Sequence, residues 1–239
     1  MNGGEKTIAS VVRDGMCTGC GFCAGICAKA IRMSEREETG LIQPAVLDEA
    51  CVECGKCRRV GPALTWPDSI GYGVREENIG PFQSVWAVHS ADPVLRRAAA
   101  SGGFVTSAII YLLESGRITG AVLTGRKADN PLHCEARLVR KPHEALACMG
   151  SKYSPVAFDS VIPMIERLPD TERLAIVGLP CHIQGLTMAA ALNPRLARAI
   201  RYNISLVCGG TPSFHAYDYI CRKLHIQRDQ IAEFHNRGE

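Results

Sequence analysis

Two cysteine runs, CTGCGFCAGIC at residues 17–27 and CVECGKCRRVG at 51–61, constrain this chain more than any other feature. In the first, Cys17, Cys20, Cys23 and Cys27 follow the C-x2-C-x2-C-x3-C spacing of a bacterial ferredoxin-type ligand run. Three thiolates close together on a loop suit three irons of one cubane. In two-cluster ferredoxins the fourth cysteine of each run crosses to the other cluster. The second run repeats Cys51, Cys54 and Cys57, but Gly61 stands where the fourth cysteine belongs, just before Pro62. Crossing therefore predicts one complete 4Fe–4S cluster on Cys27, Cys51, Cys54 and Cys57. Cys17, Cys20 and Cys23 are left with an open corner: a 3Fe–4S cluster, a 4Fe–4S cluster with a non-cysteine ligand, or an empty site. Structural zinc takes two spaced pairs and fits two triplets poorly.

The surroundings of these runs favour metal over disulfides. The chain has 12 cysteines, and its amino terminus, MNGGEKTIASVVRDG, carries acids and lacks an apolar signal segment. A reducing cytosol does not maintain a disulfide framework. The longest apolar stretch, 104–113, includes Thr106 and Ser107 and has about half the residues that a membrane span needs. A net charge of +3, from 27 basic against 24 acidic residues, is too balanced to point to nucleic acid. These features predict a soluble cytoplasmic protein bound to larger partners.

The 239 residues leave room for two domains. Residues 10–66 hold little beyond cysteines, glycines and short apolar pieces, and such a segment is stapled by its metal. Residues 67–83, rich in Gly, Pro and charge, read as a linker. From 84 to 239, strands are predicted at 85–89, 118–124, 134–139, 174–178 and 202–207, and helices at 103–115, 158–168, 181–192 and 212–224. Gly116 is placed to end the first helix, and Thr211 to cap the last, with Pro212 in its first turn. That last helix buries Phe214, Tyr217, Cys221 and Leu224 at helical spacing. The fold class expected is an α+β ferredoxin-like module followed by an α/β domain with a mostly parallel sheet covered on both faces.

Within this second part, Ser101-Gly102-Gly103 directly precedes a helix, where small residues let backbone N–H groups meet a phosphate. Lys152 and Tyr153 follow Gly150-Ser151. Cys181 follows the strand at 174–178, and Cys208 the strand at 202–207. If these strands are neighbours, their ends lie about 5 Å apart, at the carboxyl edge where open α/β sheets gather ligands. Two buried small hydrophobes are the alternative. Cys134, Cys148 and Cys221 lack such placement and read as core thiols. His182 reads as a ligand, a helix cap or a core residue.

The stretches ASGGFVTSAIIYLLESGRITGAVLTG, GSKYSPV, GLPCHIQGL and LVCGGTPS, in this order, resemble the coenzyme F-420 hydrogenase/dehydrogenase beta-subunit family. The resemblance runs from about residue 95 to 225, and a ferredoxin run in front of it is a frequent arrangement in that family. It implies FAD, held around Ser101, Gly102 and Gly103, around Gly150, Ser151, Lys152 and Tyr153, and at the Pro180 loop. It also implies that Cys181 and Cys208 are two of four ligands of a third 4Fe–4S cluster, completed by a later CxxC. No CxxC follows Cys57, so a C-terminally truncated domain is implied, with the third cluster present only when the missing end is. The expected activity is an oxidoreductase that passes electrons from ferredoxin or a redox partner subunit, through the clusters and FAD, to a small organic hydride acceptor. Lys152 is the candidate catalytic residue, a fixed cation stabilising negative charge on reduced flavin. A non-catalytic electron-transfer subunit of a larger complex is the alternative, and the oligomeric state is left open.

Overall fold

A computed structural model describes residues 7–64, 74–76 and 80–236. The expected linker falls largely on residues outside these. Its described parts, β3 (Val74–Glu76) and β4 (Gly80–Phe82), pair as a small antiparallel hairpin.

The cysteine-rich segment is built from a short helix α1 (Ala9–Arg13), α2 (Phe22–Ile26), an antiparallel hairpin of β1 (Ile31–Glu35) and β2 (Ile42–Val46), and α3 (Lys56–Arg59). The second part contributes α4 (Pro93–Ala98), α5 (Phe104–Glu114), β5 (Gly120–Arg126), β6 (Cys134–Val139), α6 (Pro142–Ala147), α7 (Val161–Glu166), β7 (Leu174–Gly178), α8 (Pro180–Leu192), α9 (Pro194–Ala199), β8 (Ile200–Ser205) and α10 (Phe214–Leu224). Its sheet is mixed, in the order β6-β5-β7-β8. Strands β5, β7 and β8 are parallel, and β6 runs antiparallel to β5 along the edge.

Alternation along the strands sends side chains to two layers. On one face, Ala121, Leu123, Ala175 and Val177 pack with Ile109 and Leu112 of α5 and Ala145 of α6. On the other, Val122, Leu174 and Ile176 pack with Ile162 and Ile165 of α7, Leu186 of α8 and Leu196 of α9. That second layer also takes in Ile8, Val11, Phe22, Cys20, Cys23 and Val60. The cysteine-rich segment and the sheet thus share one core. Close backbone approach makes this docking tight: a side chain at Gly21 would meet the backbone nitrogens of Phe158 and Asp159 at 2.7 Å.

Four expectations are corrected. Residues 85–89 form no strand; Val85 and Trp86 are 74% and 78% exposed, and no described strand lies beside them to pair. Apolar β-branched composition cannot make a strand without a ladder partner. The last helix begins at Phe214, with Ser213 rather than Thr211 at its N-cap, because the Phe214 N–H donates to the Gly40 carbonyl in the β1–β2 loop at 2.8 Å. Leu224 is exposed, since the buried face of the helix is made by Phe214, Tyr217 and Cys221. The 134–139 strand breaks the parallel pattern, being joined to β5 by a short reversal at 127–133. Gly116, at φ 65°, ends α5 as expected.

Candidate redox site

Both cysteine runs take the same backbone path. Gly19 and Gly21 are left-handed, with φ of 72° and 88°, and so are their counterparts Glu53 and Gly55, at 51° and 72°. Helices α2 and α3 each begin one residue before the third cysteine of a run. Left-handed turns of this kind point successive N–H groups into one concavity. In the first run the N–H groups of Gly19, Phe22 and Ala24 donate to the sulfurs of Cys17, Cys20 and Cys23. In the second, Cys57 accepts from the N–H groups of Ile8 and Arg58.

These donors do not offset burial. Burial pushes the Cys20 thiol up to about 12 and raises those of Cys17, Cys23 and Cys57 as well. Buried sulfurs ringed by amide donors become thiolates when a cation supplies the missing charge, and iron does so. Cys57 faces Cys27 and Cys51; Cys23 faces Cys20 and Cys17, with Cys57 next. Cys27 therefore stands with the second run, and Cys54 lies exposed at its rim. A small pocket of about 20 Å³ is lined by Cys17, Cys20 and Cys23 together with Gly61, Pro62 and Ala63. Among the described residues no three His, Cys, Asp or Glu side chains close around a single ion.

The second group of site residues lies at the carboxyl edge of the sheet. Strands β7 and β8 are neighbours, with Gly178 beside Ser205, and the chain runs on to Cys181 and Cys208. The two thiols are close enough that charge on one raises the other. Cys181 occupies the first turn of α8 behind Pro180. Burial raises it, opposed by hydrogen bonds from the Thr18 hydroxyl and the His182 N–H. Cys208 is exposed. His182 is no ligand: its Nδ1 accepts from Leu179 N–H at 3.2 Å and its Nε2 donates to the Val156 carbonyl at 3.1 Å. It stacks on Phe158 at 4.1 Å, and burial lowers its pKa to about 4, so it stays neutral and caps α8.

At the same edge, where Arg126 pairs with Cys134, Lys152 donates to the carbonyls of Cys148, Met149 and Gly150 at 2.7, 3.0 and 2.9 Å. Burial lowers its pKa, while the thiols of Cys148 and Cys134 raise it; Arg126 and Arg137 also face it. Gly150, at φ 88°, borders open space, and the Tyr153 N–H donates to Asn236 Oδ1 at 3.1 Å. Ser101, Gly102 and Gly103 are all left-handed, with φ of 53°, 74° and 74°, and they lead into α5. Their near contacts are with His89 and Leu95: a side chain on Gly103 would meet Leu95 at 2.4 Å. Motif reading missed Thr18, Arg126 and Arg137, because their partners are brought to them only by sheet pairing and helix docking.

Two cysteine loops docked on one face of a mixed α/β sheet, with Cys181 and Cys208 beyond the carboxyl ends of its strands, make up the candidate site. Residues 85–163 match the family model for the N-terminal part of the coenzyme F420 hydrogenase/dehydrogenase beta subunit, and residues 171–238 match the model for the C terminus of the same protein. The chain belongs to the coenzyme F420 hydrogenase/dehydrogenase beta-subunit family. It is 28% identical over 184 residues to a coenzyme F420-dependent sulfite reductase of Methanocaldococcus jannaschii, covering 76% of this chain and 26% of that protein. It is 26% identical over 162 residues to a coenzyme F420 hydrogenase subunit beta of Methanothermobacter thermautotrophicus, covering 65% of this chain and 56% of the relative. The chain therefore spans about a quarter and about half of those two relatives. In fold it resembles a chain of the F420-reducing [NiFe] hydrogenase complex of Methanosarcina barkeri, at a TM-score of 0.52 and 20% identity, over 61% of this chain and 51% of that one. No helix among the described residues is long and apolar enough to cross a membrane.

Proposed function

We propose that this chain is an iron–sulfur flavoprotein oxidoreductase subunit that exchanges electrons between ferredoxin-type clusters and a small hydride-accepting molecule of the deazaflavin class. The observation that carries this reading is the pair of matching cysteine loops, with backbone N–H groups donating to the sulfurs of Cys17, Cys20, Cys23 and Cys57, docked on the sheet face against which Cys181 packs. Cys17, Cys20 and Cys23 would hold one cluster, and Cys27, Cys51, Cys54 and Cys57 the other. These donor sets fit iron: they are thiols only, with Cys20, Cys23 and Cys57 buried.

FAD fits the carboxyl edge of the sheet. Arg126, Arg137 and Lys152 gather positive charge there, suited to a pyrophosphate, and Gly150 borders open space. Ser101 to Gly103, Gly150 to Tyr153 and Pro180 would border it. When bound, FAD supplies exchange between one-electron and two-electron carriers. Lys152 holds the end of α6 through three carbonyls and keeps a positive charge near the flavin, which favours the reduced, negatively charged form.

The test is the ultraviolet–visible spectrum of anaerobically purified protein. Flavin bands over a broad cluster shoulder are expected. Cluster absorption without flavin would overturn the flavoprotein assignment and leave an electron-transfer subunit.

A further inference from the structure

The corner left open at Gly61 has a thiol next to it from elsewhere in the chain. Gly61, Pro62 and Ala63 bring no ionisable donor to the pocket of Cys17, Cys20 and Cys23. On the Cys20 side, however, the Thr18 hydroxyl lies within hydrogen-bonding reach of two sulfurs, that of Cys20 and that of Cys181. A hydroxyl has one proton to donate, so it serves the two in turn and holds them as neighbours. Thr18 belongs to the first cysteine loop and Cys181 to the first turn of α8.

The fold keeps them together through several independent contacts. Phe22 of α2 packs against Gly185 of α8, leaving no room for a side chain on that glycine. Gln184 donates from Nε2 to the Pro62 carbonyl at 3.2 Å, which fastens α8 to the loop that carries Gly61. Phe158 N–H donates to the Cys20 carbonyl at 2.9 Å, and the Phe158 ring stacks on His182, the residue after Cys181. Cys181 also packs against the core cluster that holds Cys20 and Cys23. It sits at the N-terminus of a 13-residue helix and accepts hydrogen bonds from backbone N–H groups there and from Thr18.

We infer that Cys181 supplies the fourth thiolate of the cluster held by Cys17, Cys20 and Cys23, replacing the cysteine absent at position 61. On binding iron the thiol gives up its proton to solvent, with no change of oxidation state. One consequence is that this cluster staples the cysteine-rich segment to α8. A second is that Cys181 is taken, so Cys208 alone does not found a third cluster. The inference rests on the proposed iron–sulfur function, and the experiment separates the two.

Anaerobically loaded wild type, Cys181→Ser, Gly61→Cys, the double variant Cys181→Ser/Gly61→Cys, and the controls Cys17→Ser and Cys51→Ser are compared. The readouts are iron content, Mössbauer spectra, and electron paramagnetic resonance of the oxidised protein. The wild type should show only 4Fe–4S clusters. Cys181→Ser should lose about one iron per chain and gain a 3Fe–4S signal. The double variant should lose that signal, because a side chain at position 61 meets the flexible end of Ile8 at 3.2 Å and the carbonyls of Arg58 and Cys57 at 3.3 and 3.8 Å, with no contact under 3.0 Å. A 3Fe–4S signal already present in wild type, or a Cys181→Ser spectrum identical to wild type, overturns the ligand assignment while leaving the clusters standing. Unchanged iron in both Cys17→Ser and Cys51→Ser overturns the iron–sulfur function itself.

Discussion

Replacing Gly185 with alanine tests whether the cysteine-rich segment and the sheet form one packed unit. The added methyl would stand 2.8 Å from Phe22 Cδ2 and 3.3 Å from its Cβ and Cγ. Phe22 cannot swing aside. It is fully buried, and its ring lies 6.4 Å from that of Phe158, which is held in turn by His182. Overpacking of this kind costs about 1–3 kcal/mol. Alanine for glycine inside a helix returns about 0.5–1 kcal/mol, so the mid-range net loss is about 1 kcal/mol. With an unfolding slope of about 2–3 kcal/mol/M, the urea midpoint should fall by about half a molar. Phe22→Leu in the same chain makes room for the methyl, so the double variant should cost less than the two single changes added together. Anaerobic urea unfolding, followed by tryptophan fluorescence, measures all four proteins. A Gly185→Ala midpoint at or above wild type, with strictly additive costs, would refute the packing of α2 on α8 and the proximity of Cys20 to Cys181 that depends on it.

Other outcomes follow from single contacts. Arg140 donates to the nearly buried Glu172 at 2.8 and 3.2 Å, and this pairing is the main cause that holds the Glu172 carboxyl below its usual range. Arg140→Ala should cost about 1–3 kcal/mol at neutral pH by leaving that carboxylate with the Thr119 hydroxyl but without its bidentate partner. Because the folded pKa is depressed, the pair's contribution is present above the ordinary value of 4.5 and is lost as pH falls through the folded value. The variant should therefore show a flatter loss of stability below about pH 4.5 in acid unfolding, and an equally steep one would sink the assignment. Gly103→Val should destabilise the protein before any cofactor effect, since its side chain would drive into Leu95 from a left-handed backbone; a normal thermal midpoint would contradict the turn. Lys152→Met should free three carbonyls at the end of α6 and lower stability by about 1–2 kcal/mol. In the flavin-bound protein it should also lower the flavin midpoint potential, and an unchanged potential removes Lys152 from the chemistry.

Spacing along the chain was enough to place the two cysteine loops and the helices at 104–114 and 180–192, because these depend on neighbours a few residues away. A cysteine triplet must bend its own backbone around its own sulfurs, and Gly19, Gly21 and Gly55 show in the sequence where it bends. Glu53 does not show it, since a left-handed glutamate is imposed by the loop it belongs to. Strand reading worked where a ladder partner existed, at 120–126, 174–178 and 200–205, and failed at 85–89, where VWAVH has the composition of a strand and no described strand pairs with it. The antiparallel setting of β6 and the exposure of Leu224 were equally invisible, for each depends on what the rest of the fold leaves next to it. The nearness of Cys181 to Cys20 belongs to this second kind. No spacing rule connects residues so far apart in the chain; the contact exists because parallel pairing of β7 with β5 aims α8 at the sheet face on which α2 is already docked. Local backbone geometry is written in local sequence, whereas the choice of partner for a buried thiol is made by the packing of layers.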